Sequence, residues 1–413
     1  MLPRYADIII DISHEAIDRP FQYRIPDGLR EDIRLGSMVK IPFGRGNHLR
    51  TGYVIGFSDQ TEYQPDRIKE ISELCDRSVP VEGRLLALAA WIRENYGSTM
   101  INAIRTVMPV KKTIRQLVDQ VVVLAENMDT EHLADIREQY HRKHAQAKLR
   151  LLQALEETPE RYLSMDVVKQ KWNISPATLK TMQQDGVITV ISKERYRTAG
   201  VYDYKENFQI TLNNEQQAVV DEVTGDMEQG RQKTYLLHGI TGSGKTEVYV
   251  KIVKKTIEMG KQAIILIPEI ALTYQTVRYF RNYFGDRVTI INSRLSDGEK
   301  YDQFMRAKNG DVDVVIGPRS ALFAPFQNLG IIIIDEEHET SYKSDYPPKY
   351  HARETAVKRA ELEHASVLLG SATPSVESYH RALNGTYRLL ELHERAGSGQ
   401  LAKTSIVDLR KEL

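Results

Sequence analysis

Residues 239–246 have the types and the spacing needed to hold the phosphate groups of a nucleotide. They spell Gly-Ile-Thr-Gly-Ser-Gly-Lys-Thr, which fits the pattern G-x-x-x-x-G-K-[ST] at every defined position. In such a loop backbone N–H groups converge on phosphate oxygens, the lysine contacts the β- and γ-phosphates, and the last hydroxyl ligates Mg²⁺. We therefore predict that ATP and Mg²⁺ are bound by Gly239, Thr241, Gly242, Gly244, Lys245 and Thr246.

A run of acidic residues that begins 90 residues after Lys245 could complete such a site. Ile331–Ile334 predicts a strand buried on both faces, and Asp335-Glu336-Glu337-His338 follows it directly. Because ligand sites of open parallel sheets lie at the carboxyl ends of the strands, we expect Asp335 to ligate the Mg²⁺. Glu336 is then placed to orient or deprotonate the attacking water. Without the phosphate loop, the same acids would indicate only a solvated strand end.

The tetrapeptide Ser371-Ala372-Thr373-Pro374 follows another predicted strand. Its hydroxyl groups could form a hydrogen bond with His338 and so link the nucleotide site to a second surface. Taken alone, the tetrapeptide predicts only a turn and a helix cap. The predicted catalytic residues are Lys245, Asp335, Glu336 and His338.

These residues must be positioned by a sheet, and from about residue 205 onward the predicted strands and helices alternate. This alternation is typical of a parallel α/β sheet with helices on both faces. A predicted strand precedes the phosphate loop and a predicted helix, Glu247–Met259, follows it, which argues against a glycine-rich turn without a ligand. The predicted strands are Thr234–His238, Gln262–Ile267, Arg287–Ile291, Val312–Ile316, Gly330–Asp335 and Ser366–Gly370.

Residues 1 to about 75 predict a separate β-rich region, followed by a helix over residues 81–96. Short apolar runs alternate with turn residues, a spacing that suggests a small barrel. Between Arg34 and Arg50 there are basic residues but no acid, so this face either contacts phosphates or is a strand edge protected by charge. The predicted strands are Ala6–Ile12, Phe21–Ile25, Met38–Phe43 and Gly52–Phe57.

The middle of the chain, residues 111–203, predicts a small domain with three helices. The third helix has strong start signals, with Ser175 as the N-cap and Pro176 at the first helical position. Three helices followed by a β-wing are typical of a winged-helix domain, and a small helical spacer is the alternative. The predicted segments are a strand Leu117–Leu124, a connector Glu126–Glu138, a helix around Leu149–Leu155 that ends near Thr158, a helix Ser164–Trp172, a helix that ends at Gly186, and a wing Val187–Arg197.

The composition excludes several classes of protein. With 413 residues, of which 41% are apolar and 27% charged, the chain can form two to three globular domains. Basic and acidic residues both number 56, so a uniformly basic nucleic-acid-coating protein is excluded. The single cysteine, Cys75, excludes a disulfide framework and a cysteine-rich zinc site within these residues. Asp7 and Asp11 in the first apolar segment argue against a signal peptide, and we expect a cytoplasmic protein without membrane contacts.

The three nucleotide-site motifs, in this order and spacing, resemble those of superfamily 2 helicases of the DExH kind. The segments around them are similar to those of the PriA-type replication-restart DNA helicases, and this similarity covers nearly the whole chain. The segments that carry it are Phe21–Pro26, Val39–Gly44, Pro268–Thr273, Gly317–Pro325 and Ser341–Lys343.

The resemblance implies an ATP-dependent 3′→5′ helicase that recognises stalled or abandoned replication forks by structure and initiates primosome assembly. It also implies a first domain that holds a free 3′ end of DNA in a pocket formed by Phe21, Gln22, Gly44 and Lys69. The family often carries Asp at the position of Gln22. An Asp accepts a hydrogen bond from the 3′ hydroxyl as a charged group, whereas Gln accepts it as a neutral amide.

Two further regions resemble functional elements of the family. Gln216, with Leu212-Asn213 before it, resembles an adenine-recognition element, and the same residues also predict a helix N-cap. Residues 341–353 resemble an aromatic-rich loop that couples DNA binding to ATP hydrolysis, and Tyr346 can replace the Trp that the family often has at Pro348. The alternative for this loop is that its tyrosines pack beneath it. The DNA contacts predicted here are Arg319, Tyr342, Lys343, Tyr350 and Arg353.

The resemblance divides the chain into four segments. They are a 3′-end-binding domain over residues 1–110, a connector and winged-helix domain over 111–203, a first helicase lobe over 204–395, and the start of a second lobe over 396–413. In the family that second lobe carries eight zinc-binding cysteines and an arginine finger, and none of this occurs in the 413 residues. We therefore expect a truncated protein that hydrolyses ATP poorly.

The implied partners are forked and single-stranded DNA, primosome proteins and single-stranded-DNA-binding proteins. Zinc is implied only for the longer family members. One alternative is another superfamily 2 DNA translocase, such as the motor subunit of a restriction enzyme, but such motors lack the Phe21–Gly44 segments. The other alternative is a non-catalytic module that binds ATP and forked DNA.

Overall fold

The structure is a computed structural model that describes residues 3–61, 63–64, 67–75, 83–108, 117–125, 128, 130–158, 162–197 and 211–396. The chain divides into two compact units: residues 1–114 with 198–413 form the larger one, and residues 115–197 form the smaller one. The predicted domain boundaries at 110/111 and 203/204, and the predicted second-lobe segment after residue 396, lie outside the described residues.

As far as the structure describes it, the N-terminal region is an antiparallel sheet followed by two helices. It contains β1 (Tyr5–Ile10), β2 (Phe21–Arg24), β3 (Met38–Phe43), β4 (His48–Ser58), β5 (Glu73–Leu74), α1 (Gly83–Tyr96) and α2 (Met100–Val107). The strand order is β2-β1-β4-β3-β5. The edge strand β2 also bonds to the segment that leads into β5, because Arg24 N donates to Lys69 O at 2.9 Å and Ile71 N donates to Arg24 O at 3.0 Å. The four predicted strands and the predicted helix are confirmed, whereas β5 and α2 were not expected from the sequence.

In its described residues, the smaller unit combines a three-stranded antiparallel sheet with four helices. Its elements are β6 (Leu117–Leu124), α3 (Thr130–Arg142), α4 (Gln146–Glu157), β7 (Tyr162–Ser164), α5 (Met165–Gln170), α6 (Pro176–Gln184) and β8 (Ile188–Arg195). The sheet order is β7-β6-β8, and the apolar core includes Leu151, Leu155, Val168 and Met182.

The three helices predicted in this unit are confirmed as α4, α5 and α6. The third begins as expected, since Ser175 Oγ accepts from Thr178 N at 3.2 Å. One expectation was wrong. The predicted connector contains α3, because its acidic residues alternate with Leu133 and Ile136, which pack against the core. The segment predicted as a wing forms the strand β8, which pairs with β6 along its full length.

The remainder of the larger unit is a parallel α/β domain, referred to here as the lobe. Its elements are α7 (Asn214–Glu228), β9 (Thr234–Gly239), α8 (Lys245–Glu258), β10 (Gln262–Leu266), α9 (Tyr274–Phe284), β11 (Val288–Ile290), α10 (Asp297–Asn309), β12 (Val314–Gly317), β13 (Leu329–Ile334), α11 (Ala352–Glu363), β14 (Ser366–Ser371), α12 (Val376–Leu383) and β15 (Arg388–Leu392). The sheet order is β11-β12-β10-β13-β14-β9-β15, with parallel pairing throughout.

The six predicted strands of the lobe are confirmed, and the sheet has apolar cores on both faces. The central strands β10, β13 and β14 are buried at every residue, which explains their uninterrupted apolar sequences. The edge strand β15 was not predicted, because Arg388 and Glu391 are exposed and interrupt its apolar pattern.

The N-terminal region and the lobe share one apolar core. Helix α1 packs on α11, and buried side chains of α1 and α2 belong to the same cluster as Ala356 and Ala360 of α11. The strands β1 and β4 contribute Ile9 and Tyr53 to this cluster. Polar contacts support the packing, since Lys343 Nζ lies 5.1 Å from the ring centre of Tyr96. Among the helices that the structure describes, none is both long and apolar enough to cross a membrane.

Candidate functional site

The phosphate loop lies where the sequence places it, between the end of β9 and the start of α8. Gly242 and Gly244 have φ values of 81° and 77°, which only glycine adopts without strain. A Cβ atom on Gly244 would also lie 2.2 Å from Gln216 Nε2. Helix α8 begins at Lys245 without a side-chain cap, so its first N–H groups remain available to an anion. Lys245 Nζ donates to Gly239 O at 2.9 Å and holds the loop closed.

The residues around this loop fit a phosphate group and Mg²⁺. The Ser243 hydroxyl is buried inside the loop and its Oγ has no hydrogen-bond partner among the described atoms, as expected of a group that faces a phosphate. Thr246 and Asp335 line one cavity of about 350 Å³. A hydroxyl and a carboxylate are the oxygen ligands that Mg²⁺ prefers. Among the described residues, there is no cluster of three or more His, Cys, Asp or Glu that could hold another metal.

Gln216 is buried and connects helix α7 to the phosphate loop. It forms a capping box with Asn213, in which Gln216 N donates to Asn213 Oδ1 at 2.8 Å and Asn213 N donates to Gln216 Oε1 at 2.9 Å. Its Nε2 donates to Ser243 O at 2.8 Å. The N-cap interpretation is therefore confirmed, and adenine recognition by Gln216 stays a prediction.

Asp335 is fixed from several directions at the carboxyl end of β13. Tyr249 Oη donates to its Oδ1 at 3.0 Å, and Tyr342 Oη donates to its backbone oxygen at 2.7 Å. Burial, and to a smaller extent the charge of Glu336, raises the pKa of Asp335. Glu336 has a φ of 46°, which is strained for a residue with a side chain and is the kind of strain found at functional sites.

His338 and Ser371 connect the nucleotide site to the next strand, as the sequence suggested. His338 Nδ1 lies 2.7 Å from Ser371 Oγ at the end of β14. Ser371 Oγ also accepts from Thr373 N at 3.0 Å, so the serine is part of the turn that follows. The His338 ring lies 3.6 Å from Glu336 Oε2, which brings the two predicted catalytic side chains together.

Sequence reasoning gave Glu337 no role, yet Glu337 is the most completely buried acid of the site. Its carboxylate accepts hydrogen bonds from Arg353 Nη1 at 2.7 Å, Ser375 N at 2.6 Å and Ser378 Oγ at 2.9 Å. The sequence signal for this role was the pair of serines near the start of α12, because a buried acid needs several hydrogen-bond donors.

The aromatic-rich loop divides into buried and exposed side chains. Tyr342, Tyr350 and Arg353 are buried and make contacts within the protein, so in this arrangement they offer no surface to DNA. Arg319 Nη1 donates to the loop carbonyl oxygens of Ser341 and Lys343, at 2.9 and 2.6 Å. The exposed residues of the loop are Ser341, Lys343, Asp345, Tyr346, Pro347 and Lys349.

The four residues predicted to hold a 3′ end line one cavity of about 310 Å³ in the N-terminal sheet, which contains Phe21, Gln22, Gly44 and Lys69. Lys69 Nζ donates to Gly44 O at 2.8 Å, and Gln22 Nε2 donates to Gln60 O at 3.2 Å. The buried Gln22 Oε1 has no hydrogen-bond partner among the described atoms, so it can accept a hydrogen bond from a ligand. Sequence reasoning did not single out other lining residues, namely Arg19, Tyr63 and Arg67.

Known proteins match both parts of the larger unit. Residues 7–109 match the family described as 3'DNA-binding domain (3'BD), and residues 213–382 match the family described as DEAD/DEAH box helicase. A helicase domain of this kind implies the use of ATP and Mg²⁺.

Relatives called replication restart protein PriA align with nearly the whole chain. The Bacillus subtilis protein is 35% identical over 99% of this chain and 58% of its own length, and the Haemophilus influenzae protein is 31% identical over 96% and 53%. This chain thus spans a little over half the length of these relatives. Among solved structures, that of RecG bound to a three-way DNA junction is 26% identical; the match covers 47% of this chain and 25% of the RecG chain, with a TM-score of 0.36.

The two family matches include the N-terminal cavity and the phosphate loop, respectively. They agree with the alignment to these relatives. The chain is therefore similar over nearly its whole length to relatives called replication restart protein PriA, and residues 7–109 match the 3'DNA-binding domain family.

Proposed function

We propose that this chain supplies the fork-binding and ATP-binding parts of a 3′→5′ DNA helicase. The helicase acts at stalled or abandoned replication forks and initiates primosome assembly in the cytoplasm. The observation that carries the proposal is that one compact unit combines a complete phosphate loop beside Asp335 with a basic cavity around Gln22 and Lys69. An ATP site and a DNA-end site in one unit suit a motor that is switched on by a particular DNA structure.

In this proposal each residue of the nucleotide site has one role. Lys245 leaves Gly239 O and binds the β- and γ-phosphates, while Thr246 and Asp335 hold the metal. Mg²⁺ neutralises the charge of the phosphates when it is bound. Glu336 orients the attacking water and accepts its proton. His338 transmits the resulting change in the nucleotide site to Ser371, at the end of the neighbouring strand β14.

The proposed DNA contacts lie on three surfaces. The N-terminal sheet, with its joined edges, acts as a small barrel that holds the 3′ end. The smaller unit acts as a winged-helix domain that binds the duplex arms of a fork. The exposed loop residues Lys343, Tyr346 and Lys349 bind single-stranded DNA by stacking and by contacts to its phosphates. Primosome and single-stranded-DNA-binding proteins are the proposed protein partners.

Replacement of Lys245 tests the proposed ATP site. We expect Lys245→Ala to abolish DNA-stimulated ATP hydrolysis while fork affinity changes little, because Lys245 is remote in sequence from the proposed DNA surfaces. Lys255→Ala is a matched control, since Lys255 lies exposed on the same helix. ATPase rates and fork affinities are measured on the same preparations. Normal turnover in Lys245→Ala would contradict the assignment.

Forks with different 3′ ends test the proposed DNA-end site. We expect tighter binding of a 3′-hydroxyl fork than of a 3′-phosphate fork at one salt concentration, because Gln22 Oε1 accepts from the hydroxyl. Gln22→Asp should widen this preference, since a carboxylate repels the phosphate. Equal affinities for the two forks in both proteins would remove the DNA-end site from the proposal.

A second candidate function applies to these 413 residues taken by themselves, namely binding of ATP and forked DNA with slow hydrolysis. No arginine lines the cavity beside Thr246 and Asp335 among the residues that the structure describes. In other P-loop enzymes an arginine finger accelerates hydrolysis by about 10³ to 10⁵. DNA-stimulated turnover of about 1 to 10 per second by the 413-residue protein, typical of complete enzymes, would exclude this candidate.

A further inference from the structure

Tyr249 connects the phosphate-loop helix to the acid at the end of β13. It lies on α8, four residues after Lys245, and is fully buried at 1% exposure. Its hydroxyl donates to Asp335 Oδ1 at 3.0 Å. An ionised carboxylate only accepts hydrogen bonds, so the tyrosine hydroxyl is the donor. Tyr249 also lines the same cavity as Thr246 and Asp335.

The space for this hydroxyl is kept free by a glycine on a third element. A Cβ atom on Gly370, in β14, would lie 1.7 Å from Tyr249 Oη and 2.8 Å from its Cζ. Neither distance can be tolerated without displacement of the tyrosine. Gly370 directly precedes Ser371, and its carbonyl oxygen accepts from Glu337 N at 3.0 Å. The tyrosine hydroxyl therefore lies at the junction of α8, β13 and β14.

The other hydrogen bonds of Asp335 reach only its backbone, so Tyr249 is a separate constraint on the Asp335 side chain. The backbone of Asp335 is held by its own N–H, which donates to Leu266 O at 2.9 Å, and by the hydroxyl of Tyr342 on its carbonyl oxygen. These bonds fix the main chain but not the rotation of the carboxylate. A carboxylate has about four lone-pair sites, so a hydrogen bond at Oδ1 still leaves room for a cation.

We propose that Tyr249 is a positioning residue that orients the Asp335 carboxylate for Mg²⁺, and that Gly370 is glycine because the hydroxyl of Tyr249 occupies the position of its side chain. This inference rests on the proposed ATPase function. Without the donor, the carboxylate would rotate freely and would be less well solvated.

The test uses Tyr249→Phe, which removes only the hydroxyl. Binding of a fluorescent ATP analogue to the 413-residue protein is titrated against Mg²⁺, and binding is also measured in EDTA. A hydrogen bond to a charged group corresponds to about a 10- to 100-fold change in affinity. We expect Tyr249→Phe to need about 10-fold more Mg²⁺ or more, with the metal-free nucleotide affinity unchanged.

Tyr235→Phe is the matched control. Tyr235 is also a fully buried tyrosine of the lobe, and its hydroxyl donates to the Asp226 carboxylate at 2.8 Å, away from the phosphate loop. The Tyr235→Phe substitution should lower the unfolding temperature without a change in the Mg²⁺ requirement for nucleotide binding. An Mg²⁺ requirement in Tyr249→Phe equal to that of the wild type or of Tyr235→Phe overturns the positioning role.

Gly370→Ala gives an independent test of the same contact. We expect it to raise the Mg²⁺ requirement, and we expect Tyr249→Phe to add little in the Gly370→Ala background, because the contact is already lost. Fully additive effects contradict the shared contact. If the wild-type protein shows no Mg²⁺-dependent nucleotide binding, the proposed ATPase function fails; if it does and Tyr249→Phe does not differ, only this inference fails.

Discussion

At the scale of single residues, the four positions after β13 show how adjacent side chains acquire different tasks. Asp335 lines the cavity beside the phosphate loop, Glu336 has a positive φ, Glu337 is fully buried and His338 bonds to Ser371. The chain turns as it leaves the strand, so successive side chains enter different surroundings. Glu337 thereby becomes the anchor for α11 and α12, through Arg353 and the serines of the α12 start.

We predict that Glu337→Gln destabilises the lobe by about 3 kcal/mol. The amide keeps the shape but leaves the buried Arg353 without its closest negative charge, and breaking a buried pair in this way costs about 3–5 kcal/mol. The lower end of this energy range applies because Arg353 Nε also donates a hydrogen bond to Glu354 at 3.0 Å. The free energy of unfolding in denaturant is the measurement.

Asp313→Asn is the control for this prediction. Its partner Arg287 is 55% exposed, and pairs of that kind contribute about 1 kcal/mol or less. Equal losses in Glu337→Gln and Asp313→Asn would show that the Glu337 network does not anchor the lobe.

The sequence predicted the chemical roles of these residues better than it predicted which side chains are exposed. The phosphate loop and Asp335 could be assigned because their function requires a fixed order of residue types next to a strand and a helix. The loop over residues 341–353 has no regular period, so its sequence does not tell which tyrosines point inward. Tyr342 and Tyr350 are buried, whereas Tyr346 is 79% exposed.

At the scale of elements, α7 is joined to β9 by one carboxylate. Asp226 is buried near the end of α7 and accepts from Tyr235 Oη on β9, while its ion pairs with Lys233 and Arg231 hold the connection between them. The hydrogen bond from Lys233, together with those from Tyr235 and Arg231, lowers the pKa of Asp226 to about 2.

We predict that this connection makes the lobe sensitive to acid. A carboxyl group whose pKa is lower in the folded state than in the unfolded chain stabilises the fold above the unfolded value of about 3.9, and this stabilisation is lost as the pH falls towards about 2. The wild type should exceed Asp226→Asn by about 1–2 kcal/mol in unfolding free energy near pH 6. The difference should shrink progressively below pH 4; a difference that stays constant down to pH 3 would contradict the prediction.

The strand β12 approaches its neighbour too closely for a side chain at Gly317. A Cβ atom there would lie 2.4 Å from the backbone oxygen of Ile291, which follows β11. We predict that Gly317→Ala costs about 1–3 kcal/mol, because backbone cannot move aside as a flexible side chain can. Thermal unfolding measures the effect.

Gly225→Ala is the opposite case and serves as the control. Gly225 lies within α7, and a Cβ atom there would meet nothing within 4 Å. This substitution should be neutral or stabilising by up to about 1 kcal/mol, since alanine favours helix. A loss as large as that of Gly317→Ala would show that the close approach to Ile291 is not the cause.

Strong local signals predicted most of the elements. The six predicted strands of the lobe are rich in apolar residues, and the start of α6 has both Ser175 and Pro176. Among the elements that were not predicted, β5 has two residues, β15 carries exposed charges, α3 is largely polar, and α2 has only eight residues. Their stability comes from tertiary packing, which local patterns do not contain.

At the scale of the whole chain, the distribution of cores was the least predictable feature. The sequence suggests separate domains for residues 1–110 and for the lobe, and each has its own apolar pattern. The structure joins them through α1 and α11, so they form one compact unit, while residues 115–197 have a core of their own. An amphipathic helix such as α1 reveals in its sequence that it needs a partner but not which one.

This arrangement predicts opposite results for two deletions. Replacement of residues 115–197 by a flexible Gly/Ser linker should leave ATP-analogue binding and the unfolding temperature of the remaining unit nearly unchanged, since no part of its core is removed. Removal of residues 1–108 should instead cause aggregation or a large fall in unfolding temperature. It strips α1 and α2 from Ala356 and Ala360 and leaves that face of α11 exposed. The same two measurements apply to both proteins, so each serves as the control for the other. If the protein without residues 1–108 remains soluble and binds the analogue as the wild type does, the N-terminal region and the lobe do not depend on a shared core. A DNA end bound at Gln22 and Lys69 would then have no rigid connection through which to influence the phosphate loop.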